Sequence, residues 1–456
     1  MNFIKNNFIL STQITDANQG LVEKPSFKEA FWFWLKLGFV SFGGPAGQIA
    51  IMHEFLVDKK KWISDSRFLH ALNYTMILPG PEAQQLATYT GWLIHGTKGG
   101  LVAGIFFILP SMFILMGLSA LYVTFGNIPW VYALFNGLKP AVIAIVILAL
   151  IKIGKKSLYT SLHIGIAIVA FIGIFFFAIP FPVIIIGSLV LAFLARKFVP
   201  QLLKQNASAQ AQMAQDENQY YINENSVVAG SGFKWGRLLK QVAIAFCIWI
   251  LPFVAFYLFT SDFPFWKDLT LFFTKAAFVT FGGAYAVLPY VAQVSVEQLG
   301  WLTEFQMIDG LALGETTPGP LVMVLVFVGF MAGFNHSGGS LLMGSMGLMV
   351  TTLYTFVPCF LLIFVGAPII ERTRDNETIK QALSIVTAAV VGVILNLTIY
   401  LGRAVIFPKE LAWAQIDFVT LGWIAVSFIA MYRFKINMMV WIGVSALFGL
   451  VHHLIG

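Results

Sequence analysis

Charge is scarce in this chain: Asp, Glu, Lys and Arg make up 11% of its 456 residues, against 58% hydrophobic. A soluble domain has no means of burying so much apolar surface, so the composition is that of an all-α polytopic membrane protein. Acid is scarcer than base, with 21 Asp and Glu against 28 Lys and Arg and a net charge of +7. In a soluble chain that excess would suggest nucleic acid. Here it reads as basic residues gathered in cytoplasmic loops, and no nucleic-acid partner is expected. Cysteine is almost missing, and Cys247 and Cys359 both lie in apolar runs, which argues against a disulfide framework or a cysteine metal cluster. There is no His-Glu-x-x-His, no arguable Ser/His/Asp set and no phosphate loop, and His53, His70 and His95 lack metal-ligand spacing. Neither an enzyme nor an ATP-driven pump is expected, nor a cofactor or metal. Residues 1–28, with Lys5, Asp16, Glu23, Lys24 and Lys28 around a short apolar patch, make a poor signal peptide and read as a cytosolic tail.

What the chain does contain is a phrase stated twice. Phe39-Val40-Ser41-Phe42-Gly43-Gly44-Pro45-Ala46-Gly47 returns as Phe278-Val279-Thr280-Phe281-Gly282-Gly283-Ala284-Tyr285, and Leu78-Pro79-Gly80-Pro81 returns as Thr317-Pro318-Gly319-Pro320. Phe281 follows Phe42, and Pro318 follows Pro79, by the same 239 residues; Lys275 follows Lys36 and Trp301 follows Trp62 at that distance too. The chain is therefore two related halves, each with two Gly/Pro breaks inside apolar sequence, the pattern of transporter repeats. The first membrane repeat is expected over 29–197, a polar linker over 198–237, an unmatched transmembrane helix over 238–260 and the second repeat over 268–456.

Each half holds six apolar segments, so the one extra crossing makes the second set start from the opposite face, and the repeats should have inverted topology. With the N-terminus inside, most basic residues fall in inside loops; Lys59, Lys60, Lys61 and Arg67 are the one group that does not. They move inside as well if the two broken segments of each half are re-entrant hairpins rather than full spans. The polar stretch 64–75 favours hairpins, since it suits the wall of a water-filled cavity better than lipid. Thr303-Glu304-Phe305-Gln306 reads as a capping box that starts a helix at the interface.

The breaks carry the candidate chemistry. In Gly44-Pro45, Gly80-Pro81 and Gly319-Pro320, proline follows glycine where it would open a new helix, whose free N–H groups and positive dipole end suit an anion. Gly43, Gly44, Gly80, Gly282, Gly283 and Gly319 let the backbone approach a ligand, framed by Pro45, Pro79, Pro81, Pro318 and Pro320. Ser41 and Thr280 add hydroxyls, and Gln48, Gln84, Gln85, Thr316 and Thr317 add neutral donors. Lys36, Lys275 and Lys139 are intramembrane cations, each costing about 2.5 to 3.5 kcal/mol at the bilayer centre, and would neutralise a bound anion; the alternative is snorkelling to an interface. Glu82 and Glu315 adjoin the Pro-Gly-Pro breaks and would repel an anion unless protonated or paired, which makes them candidates for proton coupling; Glu82 has the alternative of capping its own helix. Gly99-Gly100 with Ala103-Gly104, and Gly338-Gly339, read as close helix packing.

Phe42-Gly43-Gly44-Pro45, then Leu78-Pro79-Gly80-Pro81, then Gly137-Leu138-Lys139-Pro140-Ala141-Val142, with the first two phrases recurring, resembles the chromate ion transporter family in its long, two-domain form. The resemblance runs from about Phe27 to the end, apart from the linker. It implies chromate efflux across the bacterial inner membrane as a route to chromate resistance, with sulfate as the related substrate and an anion channel, uniporter or sulfate uptake protein as rivals. The second half departs from the pattern, with Ala284 where the first has Pro45 and Thr387 or Ala388 where the first has Lys139-Pro140. The stronger anion contacts are therefore expected from the first half. The residues themselves specify only a tetrahedral oxyanion as partner beside the lipid, and leave a homodimer open.

Overall fold

The computed structural model describes residues 24–41, 44–76, 78–126, 128–198, 219–223, 226, 234–281, 283–370, 377–407 and 416–455. Phe42, Gly43, Gly282, residues 1–23 of the expected tail and most of the expected linker lie outside the described residues. The described chain is helical, with one isolated bridge, between Ile63 and Ile222.

The first half runs α1 (Phe27–Val40), α2 (Gly44–His53) with a π-helical turn to Lys59, α3 (Asp65–Thr75), α4 (Glu82–Phe125), α5 (Pro129–Ser157), α6 (Ser161–Phe177) and α7 (Phe181–Phe198). Between the halves lies α8 (Trp235–Phe259). The second half runs α9 (Phe263–Val279), α10 (Ala284–Ala292) with a π-helical turn to Gln298, α11 (Glu304–Thr316), a 3-10 turn (Leu321–Met323), α12 (Val324–His336), α13 (Leu341–Ile370), α14 (Glu377–Ile406), α15 (Phe418–Tyr432) and α16 (Met438–Ile455). Six stretches, 82–125, 129–155, 235–259, 341–367, 384–406 and 438–455, are each long and apolar enough to cross a bilayer.

α4 has 44 residues, which at 1.5 Å each is about twice the thickness of the apolar layer. It does not run straight. His95 and Gly96 leave helical geometry, Gly96 at φ 62, and the two arms fold back so that Gly91 meets Gly99 and Ala103. The second half makes the same hairpin from two helices: Gly329 and Gly333 of α12 press on Gly347, Met343 and Gly344 of α13. The expected packing role of Gly99, Gly100 and Gly104 is seen in this hairpin, where Gly100 faces the Thr88 carbonyl and Gly104 the Thr88 hydroxyl. Gly338 and Gly339 do something else: with φ of 69 and 102 they make the turn between α12 and α13.

The halves interleave rather than sit side by side. α14 of the second half packs on α5, α6 and α7 of the first, and α13 packs on α4. One core accordingly draws Leu115 and Val142 from the first half and Leu269, Phe327 and Ile394 from the second. The capping box forms as expected, with Thr303 Oγ1 accepting from Gln306 N–H at 3.2 Å and Gln306 Oε1 from Thr303 N–H at 2.9 Å. α8 stays at the periphery: Leu251 and Phe259 are 69% and 84% exposed, as suits a helix solvated by lipid.

Part of the expected linker is docked. Ile222 N–H donates to the Trp62 carbonyl at 2.9 Å, Ser64 N–H to the Ile222 carbonyl at 2.8 Å, and Tyr220 and Ile222 bury their side chains in the first half's core. The aromatic and β-branched residues at 220–222 are the core-forming exception within a polar stretch.

Candidate functional site

The four breaks are four glycines with left-handed backbone: Gly44 at φ 67 and its counterpart Gly283 at φ 93, Gly80 at φ 126 and its counterpart Gly319 at φ 104. A side chain at such φ is strained, which is why glycine recurs at each. Pro81 and Pro320 sit one position before the new helices, as N-caps with φ of −75 and −67, rather than as their first residues. Pro81, Gly283 and Pro320 stand at the N-cap positions of α4, α10 and the 3-10 turn, and none of the three offers a side chain to cap the leading N–H groups.

The breaks bond to one another in a reciprocal pattern. Gly319 N–H donates to the Ser41 carbonyl at 2.8 Å, and Gly80 N–H donates to the Thr280 carbonyl at 2.7 Å. Ser41 and Thr280 are counterparts, as are Gly80 and Gly319, so each half's Pro-Gly-Pro break satisfies the carbonyl at the C-cap of the helix that leads into the other half's Gly-Gly break. Two buried helix ends that would otherwise leave orphan groups at membrane depth thereby solve each other's problem. Gln48 Nε2 seals one junction, donating to the Ser41 carbonyl at 3.2 Å and to the Gly319 carbonyl. Its counterpart is Val287, so the seal exists once.

The hydroxyls behave differently from expectation. Ser41 and Thr280 donate back to the Leu37 and Ala276 carbonyls, each at 2.5 Å; Thr316 donates to Leu313 at 2.9 Å and Thr317 to Gly314 at 3.1 Å. Each hydroxyl has one proton to give, so all four are spent on helix ends. The glutamines keep more in reserve. Gln85 Nε2 donates to the Pro79 carbonyl at 2.7 Å and Gln84 Nε2 to Thr88 Oγ1 at 3.0 Å, leaving each a second N–H. The Oε1 atoms of Gln48, Gln84 and Gln85 are buried and meet no donor among the described residues. An acceptor left in that condition costs about 1 to 3 kcal/mol and calls for a donor such as water; an anion could use only the second N–H of Gln84 and Gln85.

The carboxylates lie at the same junctions. The Tyr285 hydroxyl, two residues past the second Gly-Gly pair, donates to Glu315 Oε1, tying α10 to the end of α11; Glu315 is 5% exposed and forms no ion pair among the described residues. Glu82 opens α4 beside the opposite half's break, its Oε1 3.7 Å from where a Cβ on Gly283 would stand.

Sequence reasoning missed Ser111 and Cys359. Ser111 donates to the Pro318 carbonyl, and Cys359 lies 2.8 Å from the Cβ position of Gly80. They are counterparts, in Pro110-Ser111 and Pro358-Cys359, but 248 rather than 239 residues apart. The longer turn between α12 and α13 shifts the register, and that shift hid the pair.

Three expected cations are not brought to the breaks. Lys36 and Lys275 occupy matching positions on the outward face of α1 and α9 and are exposed, Lys36 between Trp32 and Phe39, which are 59% and 53% exposed, and Lys275 beside Phe278 at 44%. The inward faces of these helices are instead taken by Leu37 and Gly38, and by Ala276 and Ala277, against which neighbouring helices pack. Snorkelling explains them. Lys36→Ala and Lys275→Ala should each transport within about twofold of wild type in a flux assay, the usual range for surface substitutions. Lys139 is buried, but its polar partners are Asn136 and Asp309, not a break residue.

A family profile described as chromate transporter matches residues 28–193 and 267–450, that is, both halves without the linker and α8. The chain is 32% identical over 400 residues to a chromate transport protein of Pseudomonas aeruginosa, covering 86% of this chain and 85% of that one. It is 29% identical over 379 residues to a probable chromate transport protein of Synechococcus elongatus, covering 83% and 85%. An uncharacterised transporter of Bacillus subtilis is 29% identical over 170 residues, which is 37% of this chain but 86% of that one, so that relative has about the length of a single half. No solved structure matches this chain.

Proposed function

This chain belongs to the chromate transporter family, and we propose that it is a secondary transporter carrying a tetrahedral oxyanion, chromate before sulfate, outward across the bacterial inner membrane with its N-terminus in the cytoplasm. The observation that carries this reading is the reciprocal pair of bonds, Gly319 to Ser41 and Gly80 to Thr280. An exchange in which each half gives the other what it receives is the signature of a two-fold relation. Combined with the odd helix α8 between the halves, it supports inverted repeats that meet at their breaks.

In this reading the uncapped helix starts after Pro81, Gly283 and Pro320, with Gly44 and Pro45 leading α2, hold the anion by N–H groups and dipole. Gln48, Gln84 and Gln85 line the seat, and Gly80, Pro79, Pro318 and Gly319 shape it; Ser41, Thr280, Thr316 and Thr317 hold the helix ends rather than the anion. Alternating access is a rearrangement about the two reciprocal bonds, where the breaks of the two halves meet. Glu315 and Glu82 carry the coupling proton.

The test is flux in proteoliposomes of purified protein, with labelled chromate against unlabelled sulfate at several pH values. Saturable chromate transport, competed by sulfate and driven uphill by an imposed proton gradient, is the expected result. Flux that follows membrane voltage alone would make the protein a channel or uniporter, and transport of sulfate with no competition by chromate would make it a sulfate carrier.

A further inference from the structure

Away from the breaks, one buried ion pair joins the halves. Lys139 lies on α5 of the first half and Asp309 on α11 of the second, with side chains 8% and 6% exposed. Buried charges at membrane depth are kept where they are used or where a partner holds them, and this partnership is incomplete. Lys139 Nζ stands 4.0 Å from Asp309 Oδ1, beyond hydrogen-bond reach, and Oδ1 meets no donor among the described residues. The other oxygen, Oδ2, accepts from the Tyr122 hydroxyl of α4 at 2.9 Å.

The ammonium is equally under-used. Of its three protons one goes to Asn136 Oδ1 at 2.8 Å; for the rest it faces the rings of Phe305 at 4.5 Å and Tyr132 at 5.5 Å, which steady a cation without consuming its donors. Beside the pair, Tyr122 also lines an open crevice with Phe125, Trp130, Phe135 and Leu313, an almost wholly apolar lining that includes neither Lys139 nor Asp309. The pair occurs once: at the register of the breaks Asp309 corresponds to His70, and at that of Ser111 and Cys359 Lys139 corresponds to Thr387.

We propose that Lys139, with Asn136 and Tyr122, is a second oxyanion station on the transport path, and that Asp309 is its built-in competitor, a carboxylate standing in for the anion when none is there. An arriving dianion takes Lys139 from Asp309, the two coming to the same place from α5 and α11. A cation is the wrong guest, since Lys139 repels it and no group of metal ligands forms among the described residues. The station rests on the oxyanion-transport reading and adds a residue, Asp309, that acts by charge competition.

Binding of labelled sulfate to purified protein, thermal unfolding and proteoliposome flux, measured on the same variants, test it. Asp309→Asn should bind sulfate about tenfold more tightly and release it more slowly, lowering both KM and kcat, as removal of a competing carboxylate requires. Lys139→Met should lose that gain and transport poorly. The double variant Lys139→Met with Asp309→Asn should recover thermal stability, because no charge is left unpaired, yet stay poor in transport. If the double variant recovers transport as well, the pair is structural and the station is refuted; unchanged sulfate affinity in a folded Asp309→Asn refutes it too. Wild-type protein that moves no oxyanion would overturn the parent reading and the station together, whereas normal wild-type flux with unresponsive variants overturns the station alone.

Discussion

Gly319→Val should give a protein that inserts and purifies normally but transports oxyanion at least about a hundredfold more slowly than wild type, and Gly80→Val should do the same. At Gly319 the backbone stands at φ 104, and a Cβ there would lie 1.9 Å from Ser111 Oγ; at Gly80, with φ 126, it would lie 2.6 Å from Gln85 Nε2 and 2.8 Å from Cys359 Sγ. Strain of about 1 to 3 kcal/mol at such a φ adds to the clash. The loss is larger than strain alone because each glycine also supplies the N–H that meets the other half's carbonyl, so one substitution unseats the junction from both sides. Gly44→Ala provides the contrast. Its φ of 67 is unfavourable for alanine, but nothing lies within 4 Å of the added carbon, and a slowing of no more than about tenfold is expected from roughly 1 kcal/mol of strain. The comparison is made on flux per inserted protein, with a monodisperse elution profile as the check on folding. Gly319→Val and Gly44→Ala slowed equally would show that clash and shared bonds add nothing to backbone strain.

Which features could be read in advance follows from how a membrane chain encodes them. Glycine and proline act through the backbone, so Gly80, Gly283 and Gly319 announce left-handed breaks wherever they fall, and a common spacing of 239 residues exposed the two halves. Direction is another matter. In a soluble helix the polar face shows which side is outside, but here the lipid-facing and core-facing sides are both apolar, so Lys36 among Trp32, Phe39 and Leu37 carries no sign of where it points. The hydroxyls of Ser41 and Thr280 were visible as residues and not as bonds: whether a hydroxyl serves a ligand or the carbonyl four residues back depends on the local helix end. Asp309 stands close in sequence to the acidic residues Glu297 and Glu304, so nothing marks it as buried, whereas α11 carries it inward to Lys139 and Tyr122.

Glu315→Gln should abolish the pH dependence of transport while leaving a folded, anion-binding protein. Glu315 is buried at the foot of the second Pro-Gly-Pro break, its hydrogen-bond partner is the neutral Tyr285 hydroxyl, and no lysine or arginine among the described residues pairs with it. A charged carboxylate there repels an incoming dianion, whereas the protonated acid does not, so protonation and anion binding favour each other. The sign follows: wild-type transport should rise as pH falls on the side from which the anion enters, by no more than about tenfold per pH unit if one proton is carried. Glutamine imitates the protonated acid, so the variant should run at a rate independent of pH and should no longer accumulate anion against its gradient when a proton gradient is imposed. Tyr285→Phe separates charge from geometry. It removes the hydroxyl that supports the ionised form and keeps the carboxyl, so pH dependence should survive but move to higher pH, because the charged form has lost its donor. Glu82→Gln makes the same comparison at the other junction. A flat profile in that variant with a normal one in Glu315→Gln would transfer the proton to the start of α4, where Glu82 faces Gly283, and leave Glu315 as a partner of Tyr285 only.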